Sequence, residues 1–198
     1  MAFPSTDRVE THGSDTGAET GAPTEGADAA RDALARAATP GVGAATLLLR
    51  SEAATERFGQ IIAGTLAPGD AVLLSGTLGA GKSALARSVV RSLLRDPAAE
   101  VPSPSYTLIN VYEPAGAPPV WHADLYRLGD SSELDELGLE DAFASAICLV
   151  EWPDRLPNLP PRRLLIRLEL PADALADDVR MASITAVGPW PRLETLAP

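Results

Sequence analysis

Gly76-Thr77-Leu78-Gly79-Ala80-Gly81-Lys82-Ser83 is the stretch on which the reading of this chain turns. Its spacing is Gly, four residues, then Gly-Lys-Ser, set between the apolar run Ala71 to Ser75 and a helix-patterned segment beginning at Lys82. Strand, glycine loop and helix together form the context in which such a loop cradles phosphate. Glycines let the backbone turn tightly and bring its N–H groups onto an anion, and the positive end of the following helix adds field at the same point. The expected ligand is ATP or GTP with magnesium, Lys82 neutralising the β- and γ-phosphates and the Ser83 hydroxyl ligating Mg²⁺. The chain contains fifteen arginines and one lysine, which is Lys82. A compact ammonium at this one position indicates a geometric demand that a forked guanidinium does not meet.

Working outward, Ala45 to Leu49 reads as a strand, Ser51 caps a helix running to about Leu66, and Pro68-Gly69-Asp70 makes a turn. Beyond the loop, Leu85, Ala86, Val89, Val90, Leu93 and Leu94 recur at helical spacing with arginines at 87, 91 and 95, which predicts an amphipathic helix. A proline-punctuated loop from Asp96 to Ser105 leads to strand-like segments at Tyr106 to Tyr112 and Val120 to Ala123. Short helices are expected from Ser132 and over Gly138 to Ser145, followed by a buried strand at Ala146 to Glu151. Leu164 to Leu170 and Val179 to Val187 form a late strand pair. The pattern predicts a three-layer α/β phosphate-loop fold with a mostly parallel central sheet and antiparallel edge strands.

At 198 residues there is room for one ordinary domain. No apolar run approaches the roughly 18 residues of a membrane span. The first residues lack a basic start and an apolar signal core, so no export is expected and the cytoplasm is the default location. Residues 1–43 hold no aromatic after Phe3 and few large aliphatics. They are expected to be a disordered extension, with a fraying helix near Asp28 to Ala38 and a solvated His12. The folded domain is placed at 44–188 and a tail at 189–198. Cys148 is the single cysteine, which excludes an internal disulfide and a cysteine-based zinc site and reads as a small buried hydrophobe. A formal charge of -11 argues against broad electrostatic adhesion to nucleic acid or an anionic membrane.

Hydrolysis needs further oxygen ligands for the metal and an oriented water. Asp124 and Glu151 each end a strand, and ligands of open α/β sheets gather beyond the carboxyl ends of strands, so both acids are candidates to face Ser83. Either could bind the metal directly while the other acts through water. Ser103-Pro104-Ser105-Tyr106-Thr107 is open to two readings, a loop sensing the γ-phosphate or a proline-shaped turn. His122 reads first as a packed or edge histidine and second as a catalytic one. Arg127 suits a phosphate contact or a surface salt bridge.

These residues resemble the bacterial TsaE (YjeE) ATPases that support threonylcarbamoyladenosine modification of tRNA. The resemblance rests on the Gly76 to Ser83 loop, on Ser103-Pro104-Ser105-Tyr106-Thr107-Leu108, on His122-Ala123-Asp124-Leu125-Tyr126-Arg127-Leu128, and on Ile147-Cys148-Leu149-Val150-Glu151-Trp152-Pro153. It spans about Ala45 to Val187. It implies a small ATPase with magnesium held by Ser83 and Glu151, Asp124 as the second essential carboxylate, and Ser103 to Thr107 as a switch-like loop. It also implies a nucleotide site drawn from Gly76, Thr77, Leu78, Gly79, Ala80, Gly81, Lys82, Ser83, Ala84 and Trp152, with Thr55 near the base. The implied partners are the TsaD and TsaB proteins, which transfer the threonylcarbamoyl group to adenosine beside the anticodon. ATP hydrolysis would reset that complex, and tRNA would be met only indirectly. The family often has Thr where this chain has Ser83 and Ser105, and Phe where it has Ala123.

Two rival functions remain at this level. A small-molecule kinase would share the phosphate loop but carry an arginine-rich lid, for which Arg162-Arg163 is the one adjacent pair and Pro160-Pro161 a poor hinge. A nucleotide-controlled binding module would need no chemistry at Glu151. The guanine-specific Asn-Lys-x-Asp pattern is absent, which favours ATP over GTP.

Overall fold

The structure is a computed structural model describing residues 23–39, 44–129, 132–172 and 178–196. Helix α1 (Pro23–Ala38) precedes β1 (Ala45–Leu49), α2 (Glu52–Thr65), β2 (Ala71–Ser75) and α3 (Lys82–Leu94). Then follow β3 (Ile109–Tyr112), β4 (Val120–Asp124), α4 (Ser132–Leu137), α5 (Leu139–Ser145) and β5 (Ile147–Glu151). A 3₁₀ turn at Pro153–Arg155, β6 (Arg163–Glu169), β7 (Arg180–Val187) and α6 (Pro191–Glu194) complete it.

One seven-stranded sheet has the order β1-β7-β6-β2-β5-β4-β3. Its centre, β6-β2-β5-β4, is parallel, while β1 and β7 on one side and β3 on the other run antiparallel to their neighbours. The expected three-layer fold with antiparallel edges is therefore the observed one. The apolar runs of β2 and β5 are buried on both faces, as parallel strands between helical layers require. Val72, Leu74, Leu149 and Ile166 pack with Leu85 and Val89 of α3 and with Phe58 and Ile62 of α2. Leu73, Cys148 and Val150 pack on the opposite face with Leu139 and Ala142 of α5. Cys148 is fully buried, and burial pushes its thiol up to about 12, which keeps it protonated.

Local chemistry explains the boundaries. The Ser51 hydroxyl accepts from the Ala54 N–H at 3.1 Å and caps α2. Helix α3 ends where Arg95 turns left-handed at φ 57° and its N–H reaches the carbonyls of Arg91 and Ser92. The segment expected to be a strand from Tyr106 starts only at Ile109. Leu108 is left-handed at φ 62°, and its N–H bonds the Pro104 carbonyl at 2.7 Å, closing a turn that precedes the ladder.

The expected domain boundaries need correction at both ends. Pro23–Ala38 is a helix whose Ala30, Ala33, Leu34 and Ala37 join the main core against β1, β7, α2 and α6. The predicted disorder of residues 1–22 and 40–43, with His12, lies outside the described residues. In the segment expected to be a tail, Trp190 is buried and donates from Nε1 to the Val187 carbonyl at 3.1 Å, and Leu193 is fully buried. Small alanines let α1 sit close to the sheet edge, a gain that exists only once its neighbours are folded. Truncating Leu34 to alanine should therefore cost about 2–5 kcal/mol, the range for a buried leucine, measured by urea denaturation. An unchanged midpoint would return the helix to the status of an ornament.

Candidate functional site

The glycine-rich loop leaves the carboxyl end of the central strand β2 and enters α3. Gly76, Gly79 and Gly81 adopt φ of 135°, 78° and 100°, conformations that side-chain-bearing residues rarely take. Two loop carbonyls are held from across the sheet. Arg180 of β7 donates from Nε to Ala80 O at 2.9 Å and reaches Gly79 O at 3.4 Å. Nothing in the sequence singled Arg180 out, because it lies a hundred residues from its partners among fifteen arginines.

Lys82 is folded back on the loop. Its Nζ donates to Gly76 O at 3.0 Å and Thr77 O at 2.8 Å, and stands 4.0 Å from the centre of the Trp152 ring. Burial lowers its pKa, while the Glu151 and Asp124 charges oppose that shift. Trp152 takes a left-handed φ of 60° directly after β5, and Tyr126 leans on it with ring centres 4.9 Å apart.

Both carboxylates arrive together because their strands are in register: Asp124 of β4 pairs with Glu151 of the parallel strand β5. Glu151 Oε2 accepts from the Ser83 hydroxyl at 2.8 Å, and its Oε1 lies 3.0 Å from His122 Nε2. Asp124 Oδ2 accepts from Ser103 Oγ at 3.0 Å and Ser105 Oγ at 2.6 Å, while its Oδ1 accepts from the Tyr126 N–H at 3.1 Å. Ser103 and Ser105 are thereby tied to one carboxylate oxygen, which a proline-shaped turn alone would not require. The same loop is propped from α3, where Arg87 and Arg91 donate to the carbonyls of Val101 and Ala99. Arg127 stacks on Tyr106, its guanidinium carbon 4.4 Å from the ring centre.

Lys82, Ser83, Ser105, Asp124, Glu151 and Trp152 line a recess of about 260 Å³ at the loop, together with Leu78, Gly79 and Gly81. A second recess of about 320 Å³ adjoins it through Gly81 and Ala84, and is walled by Thr55, Glu52, Asp178 and Arg180. The structure thus brings the loop, both carboxylates and Trp152 around one hollow and puts Thr55 in the next. Gly76 and Thr77 face the lysine through their carbonyls. For a hard cation the convergent oxygen donors are the Ser83 hydroxyl and the Glu151 carboxylate, with Asp124 beside them. Among the described residues no cluster of three or more His, Cys, Asp or Glu forms a metal cage. That donor set fits magnesium, which keeps waters and takes phosphate oxygens rather than a full set of protein ligands.

A sequence profile described as "Threonylcarbamoyl adenosine biosynthesis protein TsaE" matches residues 49–178. The chain is 35% identical over 138 residues to the tRNA threonylcarbamoyladenosine biosynthesis protein TsaE of Rickettsia bellii, covering 70% of this chain and 92% of that one. It is 38% identical over 144 residues to the protein of the same name from Mycobacterium tuberculosis, covering 68% and 83% respectively. In structure it is similar to Bacillus subtilus YdiB, with a TM-score of 0.56 and 30% identity over 77% of this chain and 92% of that chain. With the profile spanning well over half its length and such relatives matched nearly end to end, the chain belongs to the TsaE family of threonylcarbamoyl adenosine biosynthesis.

Proposed function

We propose that the chain is a magnesium-dependent ATPase that serves tRNA threonylcarbamoyladenosine synthesis by resetting the TsaD–TsaB transferase complex between turnovers. The observation that carries this reading is the Ser83 to Glu151 hydrogen bond of 2.8 Å at the mouth of the glycine loop, with Asp124 in register beside it. Loop hydroxyl and strand-end carboxylate would hold magnesium between them, and the metal would supply charge neutralisation on the phosphate oxygens. Lys82 would exchange its loop carbonyls for phosphate, and Asp124 would orient the attacking water or sense it through Ser103 and Ser105. Thr55, Ala84 and Arg180 border the recess that suits the base. Among the described residues no helix is long and apolar enough to cross a membrane, and a tRNA pathway implies the cytoplasm.

The kinase alternative loses its lid. Arg162 ion-pairs with Asp70 at 2.5 Å and Arg163 donates to Pro160 O at 2.9 Å. These contacts lie where β2 and β6 begin, at the opposite end of the sheet from the loop.

ATP and GTP turnover should be measured for the purified protein alone and with TsaD–TsaB, with and without magnesium. Expected is magnesium-dependent hydrolysis preferring ATP, slow alone and faster with the pair. Failure to bind either nucleotide would sink the reading. Binding without turnover under any condition would leave a nucleotide-controlled binding module in its place.

A further inference from the structure

His122 and Asp124 on β4, and Leu149 and Glu151 on β5, are two residues apart and so project from one face of the sheet. Leu149 packs in the same core as Leu85 and Val89, which makes this the α3 face. Register sets His122 opposite Leu149 and therefore diagonal to Glu151. His122 Nε2 lies 3.0 Å from Glu151 Oε1, with both side chains 1% exposed. The other ring nitrogen, Nδ1, is buried with no hydrogen-bond partner among the described residues.

A side chain needed only to fill this space would carry no nitrogen, since an unpaired buried polar atom costs free energy. Among the described residues the ring's one polar link is to the carboxylate. An ionised carboxylate only accepts, so the shared proton belongs on Nε2. With Ser83 on Oε2 and His122 on Oε1, the carboxylate plane is fixed from both ends. We propose that His122 is a positioning residue for Glu151, its Nε2–H holding Oε1 so that Oε2 is presented to Ser83 and to the cation there. This rests on the magnesium-dependent reading above for its functional consequence, but the hydrogen bond itself does not.

Two measurements test it. The chain has only two histidines, His12 and His122, so the ring ¹⁵N signals of the unliganded protein can be assigned with His122→Gln. Nε2 of His122 should carry a proton at neutral pH; an unprotonated Nε2 would overturn the proposal whatever the protein does with nucleotide. Magnesium-dependent tightening of a fluorescent ATP analogue is then compared across variants. His122→Asn, whose amide nitrogen takes the place of the unpartnered Nδ1, and the space-filling His122→Phe should each weaken the magnesium effect about 10- to 100-fold, the usual loss on removing an outer-shell partner. Metal-free analogue binding should be unchanged. His122→Gln, which restores an N–H at the ε position, should recover wild-type behaviour to within a few-fold. Equal loss in Gln, Asn and Phe would reduce His122 to packing, and equal retention in all three would end the positioning role. If the wild type binds no analogue, the ATPase reading falls, and the tautomer alone decides the His122 contact.

Discussion

Replacing Lys82 with methionine is expected to weaken ATP binding and turnover by about 10²–10³-fold, the loss typical of one pre-aimed electrostatic donor, while leaving the fold intact. The two halves of that expectation have one cause. Lys82 is 4% exposed, and burial depresses its pKa, so its surroundings disfavour the charge that the proposed function needs. Its bonds to Gly76 O and Thr77 O and its seat over Trp152 offset part of that cost. Methionine keeps the length of the side chain and removes the desolvated ammonium. The thermal midpoint should then move by less than about 4 °C, equivalent to roughly 1 kcal/mol in a chain of this size. Titration with ATP and magnesium, paired with a melting curve, checks both halves. Wild-type affinity in the variant would remove Lys82 from the site, and loss of the folded baseline would make it a structural prop instead.

A stability effect as large as that of truncating Leu34 is expected at Gly76. A Cβ built there would overlap the carbonyl oxygen of Leu168 and approach Ala80 Cβ to 3.2 Å, at a φ of 135° that only glycine adopts freely. The obstruction is backbone of β6, which cannot withdraw without loosening the ladder that pairs Ser75 with Arg167. Strain and overlap together should make Gly76→Ala cost roughly 2–5 kcal/mol. Gly79→Ala is the control, because a Cβ at Gly79 meets nothing within 4 Å and only the left-handed φ of 78° is penalised, by about 1–2 kcal/mol. Urea denaturation of the two variants should separate them clearly. A Gly76 variant no weaker than the Gly79 variant would show that β6 yields.

Much of this architecture was legible because its causes are local. The Gly76 to Ser83 spacing, the apolar run of β2 and the helical period of α3 are properties of neighbouring residues, and they placed the loop at the end of a central strand. Asp124 and Glu151 could be nominated because strand ends in such sheets converge on one edge. The rest depends on residues far apart in the chain. Arg180 meets Ala80 and Gly79 only after β7 has paired with β6 and β1. The sequence reads His122 first as a packed or edge histidine and second as a catalytic one, without pointing to Glu151, because their relation is diagonal across two strands and register cannot be seen before the strands are paired. Helix α1 looked like a disordered tract because alanine contributes little burial by itself. Its order comes from the sheet edge, α2 and α6 beneath it.

The Arg180 contacts bear on how the molecule opens. A glycine-rich loop has more backbone freedom than most segments, yet here two of its carbonyls are clasped by a residue from the antiparallel edge of the sheet. Local unfolding of the loop must release that clasp, and peeling β7 away must release the loop. The clasp links the β1–β7 edge to the glycines on the opposite side of β6, so a perturbation at that edge is expected to change amide protection in the loop.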